Sequence, residues 1–99
     1  MKDRMHPDCQ ATLIELGKRV TAFRSANNIT FLALARDCNI ATSTLYKIEH
    51  GQTNATLLTI YKIAWVLGVD LTDLLPPHIH ADDKLSKAQT LQRHPRLRP

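Results

Sequence analysis

The sequence predicts an all-α domain of five helices, on three observations. Apolar residues between positions 11 and 75 recur every three or four residues, and no run alternates with a two-residue period. Capping residues (Thr30, Thr56, Asp70) precede the apolar runs, and turn residues (Asn27-Asn28, Asn39, Gly51, Gly68) follow them. A chain of 99 residues buries only about 60–65% of its unfolded surface, enough for one small core. A barrel enzyme, a doubly wound sheet and a two-domain arrangement are thereby excluded.

The first helix is predicted over 11–27. Leu13, Leu16, Val20 and Phe23 form its apolar stripe, with Glu15, Lys18 and Arg19 outside it. Asn27-Asn28 should end it, because asparagine tolerates the left-handed conformation that closes many helices. The second helix is predicted over 31–38 behind the N-cap Thr30. Phe31, Leu34, Ala35 and Cys38 fall at i, i+3, i+4 and i+7 and mark its buried face. Asn39 then offers a left-handed turn residue, and Ile40 an apolar plug.

The third helix is predicted over 42–50 and closed by Gly51. Leu45 and Ile48 point one way, while Thr42, Ser43, Tyr46, Lys47 and His50 point the other. The fourth helix, 57–67, is capped by Thr56 and stopped by Gly68. Leu57, Ile60, Ala64 and Leu67 form one stripe, widened by Ile63, and Leu58, Tyr61 and Trp65 form a second. That second stripe is either core or a contact surface between molecules. A short fifth helix starts after Asp70 with Leu71, Leu74 and Leu75 inward, and Pro76-Pro77 end it.

The domain map is therefore an N-terminal arm at 1–10, a helical body at 11–75 and a basic tail at 76–99, expected to be largely disordered. The formal charge of +4 is uneven: the arm is neutral, the body carries +1 and the tail +3. The body cannot hold a polyanion by bulk charge and needs placed contacts or dimerisation. Within the tail, Asp82, Leu85, Ala88 and Leu91 would suit a marginal helix over 82–93. The longest uncharged apolar run, Ile63 to Val69, is far shorter than the ~20 residues that cross a bilayer. The first ten residues hold no apolar signal segment. A soluble, cytoplasmic protein with no membrane partner is expected. Cys9 and Cys38 form no CxxC pair and should be free thiols, Cys38 as a small core residue.

The stretch from Thr30 to Gly51 carries the functional signal. It reads as a helix, a tight turn on Asn39 and a second short helix with a polar outer face. Two helices crossing through such a turn make a helix-turn-helix, whose second helix fits the DNA major groove. Leu45 and Ile48 would hold that helix rigid, and its other side would present donors and acceptors to base edges.

Over about 13–75 the sequence resembles the Cro/repressor (Xre-type) helix-turn-helix family of transcriptional regulators. The matching landmarks are Leu34-Ala35 in helix two, Asn39 where the family usually has glycine, and Ile40 after it. Glu49-His50-Gly51 matches the Glu-x-Gly ending of the recognition helix. Leu67-Gly68-Val69 closes the fourth helix, and Asp70 to Leu75 matches the short Asp-capped helix beyond. The resemblance implies a lambda-repressor-like fold and a sequence-specific regulator of double-stranded DNA, a repressor or autoregulator, acting as a homodimer.

It also implies roles. Thr42, Ser43 and Thr44, with Tyr46 and Lys47 one turn on, stand where the family reads bases. Lys47 is the leading candidate, because an ammonium can donate to guanine O6 and N7. Tyr46 would meet a thymine methyl or lie on the backbone. His50, Thr53 and Asn54 stand where the family contacts phosphates, and the amide end of the second helix, with Thr30, is a ready phosphate site because helix N-termini attract anions. Arg24 and Glu49 match a structural ion pair between the first and third helices. Leu58, Trp65, Leu71 and Leu74 are the candidate dimer interface. The departures are Phe31, where a phosphate-binding glutamine is common, and Ala41, where a capping Ser or Thr is usual. Phe31 either packs inward with Leu34 or presents an apolar edge near the backbone.

No Gly-rich phosphate loop and no nucleophile, base and orienting acid stand together, so an enzyme is not expected. His78-x-His80 with Asp82, Asp83 and His94 fits no strong metal motif, so no metal and no cofactor are expected. The rival reading is an antitoxin-like module on the same fold, whose client is a toxin or another protein, motivated by Phe31, Leu58 and Trp65.

Overall fold

The computed structural model describes residues 7–77, and within them the chain is five helices with no strand. They are α1 (Pro7–Ala26), α2 (Phe31–Cys38), α3 (Thr42–Glu49), α4 (Leu57–Leu67) and α5 (Leu71–Leu74). The bounds of α2 and α4 match the expectation, and α3 ends one residue early, at Glu49. Helix α1 begins at Pro7, four residues before the predicted start, so Pro7 to Gln10 belong to the helix and not to an arm. Proline is favourable at a first helical position, where its missing N–H has no intrahelical partner anyway.

Local chemistry sets the helix ends. The Thr30 hydroxyl accepts from the Ala33 amide at 3.1 Å, and the Thr56 hydroxyl accepts from the Thr59 amide at 3.1 Å. Ala41 offers no side-chain cap to α3. At α5 the Asp70 amide donates to the Asp73 carboxylate at 3.0 Å. Asn28 and Asn39 both take the left-handed conformation, each at φ 57°. Beyond α2 the Asn39 amide donates to the Arg36 carbonyl and the Ile40 amide to the Ala35 carbonyl, each at 3.0 Å. This closes the turn and drives Ile40 against the core.

The core collects one face from each helix: Leu16 and Val20, Leu34, Ala35 and Cys38, Leu45 and Ile48, then Ile60, Ile63, Ala64 and Leu67, and finally Leu74. No polar or charged residue is fully buried among the described residues. Helix α1 packs across α3, α4 and α5, and α2 packs against α3 and α4. Burial pushes the Cys38 thiol above its ordinary pKa, with Asp37 adding to the rise and Lys62 opposing it. Its Sγ donates to the Lys62 carbonyl at 3.9 Å.

Nothing in the sequence marks Gly17. It is buried in the middle of α1, where a glycine costs about 1 kcal/mol relative to alanine. Its reason is tertiary. A Cβ there would collide with the Ile48 and Glu49 carbonyl oxygens and lie 2.7 Å from the Glu49 carbonyl carbon. The bare Cα lets α1 sit directly on the end of α3. Gly51 completes the contact: its φ of +67° suits glycine, and a side chain there would meet Ile14 at 2.7 Å.

One expectation about the surface changes, and one open alternative is narrowed. Leu74 has no exposed area and Leu71 is half-buried, so Leu74 cannot touch a second copy in this fold. The reason is that α5 is folded down onto α1 and α4. The Arg19 guanidinium fastens it, donating from Nη1 to the Asp73 and Leu75 carbonyls at 3.2 and 3.3 Å. The second stripe of α4 is not core among the described residues: Leu58 is 63% exposed, Tyr61 50% and Trp65 75%. Ile60, Ile63, Ala64 and Leu67 already fill the interior side, which leaves that stripe facing outward. The expected tail helix over 82–93 and the His78, His80, Asp82, Asp83 and His94 group lie outside the described residues.

Candidate nucleic-acid interface

Helices α2 and α3 and the turn at Asn39 form the helix-turn-helix unit. Leu45 and Ile48 are buried, which fixes the rotation of α3 about its own axis. Thr42, Ser43, Tyr46 and Lys47 are then exposed together on the other side, and Thr44 is half-buried at the margin. A helix eight residues long rises about 12 Å, which sets the length of this polar strip.

The residues expected at phosphates lie at the N-cap of α2, at the C-cap of α3 and in the connection that follows α3. Thr30, His50 and Asn54 are exposed and Thr53 is half-buried. The Thr30 hydroxyl uses an oxygen lone pair on the Ala33 amide, so its own hydrogen remains available as a donor. The uncapped start of α3 leaves first-turn amides without a side-chain partner. His50 is not free-standing. Its ring stacks on Tyr46 with centroids 4.0 Å apart and planes at 25°, and its Nδ1 lies 2.8 Å from the Tyr46 carbonyl oxygen. Sequence spacing alone placed Tyr46 and His50 four residues apart on one face but did not flag the pair.

The frame behind the strip is tied by the ion pair expected between α1 and α3. The Arg24 Nε donates to Glu49 Oε2 at 2.8 Å, and Nη2 donates to Oε1 at 3.1 Å, a two-pronged contact. Only 17% of the Arg24 side chain and 5% of the Glu49 side chain remain exposed. Arg24 also donates from Nη1 to the Ile29 carbonyl at 3.2 Å and lies 5.8 Å from the centre of the Phe31 ring. Phe31 is thus half-buried against the core and under the guanidinium, so the inward of its two placements is the one adopted. Among the described residues no group of three or more His, Cys, Asp or Glu could hold a metal, and no helix is long and apolar enough to cross a membrane.

This fold and this face define a helix-turn-helix domain. The helix-turn-helix family model matches residues 22–74, more than half of the sequence, and the chain belongs to that family. Solved structures agree. The restriction-modification controller protein C.AhdI from Aeromonas hydrophila is 29% identical with a TM-score of 0.64, over 66% of this chain and 98% of that one. The hypothetical transcription factor NHTF from Neisseria is 26% identical with a TM-score of 0.65, over 88% of this chain and 97% of that one. A chain of the SinR–SinI protein complex is 25% identical with a TM-score of 0.60, over 84% of this chain and 82% of that one. No curated protein sequence gives a significant match.

Proposed function

We propose that this protein is a sequence-specific regulator of transcription, a repressor or autoregulator, that lays α3 in the major groove of double-stranded DNA. One observation carries the reading: Leu45 and Ile48 are buried while Thr42, Ser43, Tyr46 and Lys47 are exposed together on the opposite face. Lys47 donates to guanine, and Thr42, Ser43 and Thr44 bond bases or nearby phosphates. Tyr46 lies against a base edge or the backbone. Thr30, His50, Thr53 and Asn54 hold the phosphates on either side. Similarity to C.AhdI and NHTF, whose names describe a controller protein and a transcription factor, supports a regulatory role.

The protein acts as a homodimer on two half-sites one helical turn apart. With a body charge near neutrality, one copy has little electrostatic hold on DNA. Exposed Leu58 and Trp65, with Tyr61 between them, are the apolar surface on which association rests. The same surface favours a second reading, an antitoxin-like module whose client is another protein. Selection of bound duplexes from a random pool, at two salt concentrations, separates the readings. A palindromic consensus whose affinity falls steeply with salt is the expected result. Recovery of no enriched sequence, together with a stoichiometric protein partner, would favour the interaction module.

A further inference from the structure

The stacked pair Tyr46 and His50 constrains how this face meets a phosphate. The inference rests on the DNA-binding reading above. His50 lies at the C-terminal cap of α3 and is exposed. Its Nδ1 is 2.8 Å from the Tyr46 carbonyl oxygen, which has only lone pairs to offer. Nδ1 must therefore carry the hydrogen of that bond. In a neutral imidazole Nε2 is then bare and can only accept. The ring also stacks on Tyr46; turning it over would keep that stack but give up the bond from Nδ1 to the Tyr46 carbonyl. A phosphodiester oxygen is also an acceptor. Neutral His50, held this way, has no donor for it.

We propose that His50 binds the duplex backbone as an imidazolium, donating from Nε2 to a phosphodiester oxygen, and that DNA binding takes up one proton at this ring. The proton comes from solvent and adds to the Nε2 lone pair, and no other bond changes. His50 stands at the C-cap of α3 and against the face of the Tyr46 ring. On its own helix, Lys47 opposes the charge, while Glu49 is already held by Arg24. Helix α1, packed on α3, brings Asp8, Glu15 and Lys18, with Glu15 held by Arg19 at 3.3 Å. Helix α2, also packed on α3, brings Arg36 and Asp37, paired with each other at 3.2 Å. A phosphodiester oxygen would supply a charge-assisted acceptor at Nε2.

The test measures the affinity of the full chain and of two variants for a labelled duplex carrying the selected consensus and for one of scrambled sequence, at two pH values and fixed salt. Wild type is expected to bind about five- to tenfold more tightly at about pH 6 than at about pH 8, because only the imidazolium makes the charge-assisted bond. His50→Gln, neutral throughout, should lose most of that difference. His50→Arg, charged throughout, should bind tightly at both values. His6, His78, His80 and His94 are unchanged in every variant, so the contrast isolates His50. Thermal melting checks that each variant is folded. A His50→Gln protein that keeps the full pH dependence would overturn the proposal. A pH dependence present on the consensus and absent from the scrambled duplex would overturn it too, since the contact would then be to a base. If no form retains either duplex at either pH, the DNA-binding reading fails and this inference fails with it.

Discussion

Removing Arg24 should be among the most damaging single changes outside the apolar core. Only 5% of the Glu49 side chain is exposed in the intact pair, and Arg24→Ala strips both carboxylate oxygens of their donors. It also frees the Ile29 carbonyl and uncovers Phe31. Breaking a buried pair by deleting one partner costs about 3–5 kcal/mol, mostly the cost of an uncompensated charge. The helical body is small, and at roughly 0.05–0.15 kcal/mol per residue its whole stability is about 4–10 kcal/mol. The loss is therefore a large share of the total. Urea unfolding followed by circular dichroism measures it, with an unchanged slope if only stability moves. Arg24→Lys keeps the charge but not the two-pronged geometry and should lose less. The double change Arg24→Met with Glu49→Leu removes the orphaned charge and should recover much of the loss. A deficit below about 1 kcal/mol for Arg24→Ala would mean that water reaches Glu49 and that the pair behaves like a surface one.

Four further outcomes are expected. Gly17→Ala forces a methyl against the Ile48 and Glu49 carbonyls and should destabilise by about 1–3 kcal/mol, read in the same unfolding assay; a gain in stability would contradict the close approach of α1 to α3. Ala41→Ser supplies the missing cap of α3 and should raise stability by about 1 kcal/mol, whereas no change would show that the first-turn amides are already satisfied. Lys47→Ala should weaken binding to the selected duplex by roughly 1–3 kcal/mol and relax preference at one base pair, with its melting temperature unchanged. Cys38 has its thiol pKa raised by burial, so its contribution to stability is complete below the unfolded value and is lost as pH climbs through the folded one. Stability should fall from about pH 8.5 upward, and Cys38→Ala should flatten that fall.

The helix ends were legible because capping is decided within three or four residues. Thr30 and Thr56 each reach the amide three positions on, and Asn39 needs only its own backbone to turn left. The buried faces of α2 and α3 were legible for a similar reason, since the helical period alone sorts Leu34, Cys38, Leu45 and Ile48 from their neighbours. Arg24 and Glu49 are 25 residues apart, and their pairing was available only through resemblance to a known family. What the sequence could not decide is which helix surfaces meet. The contact of Gly17 with the end of α3, the grip of Arg19 on α5 and the outward turn of Trp65 all depend on how ridges of one helix seat in grooves of another. Leu58 and Leu67 read equally apolar in the chain, yet one is 63% exposed and the other 6%. Hydrophobicity says that a residue would gain by leaving water, but only the packed arrangement says whether room remains for it.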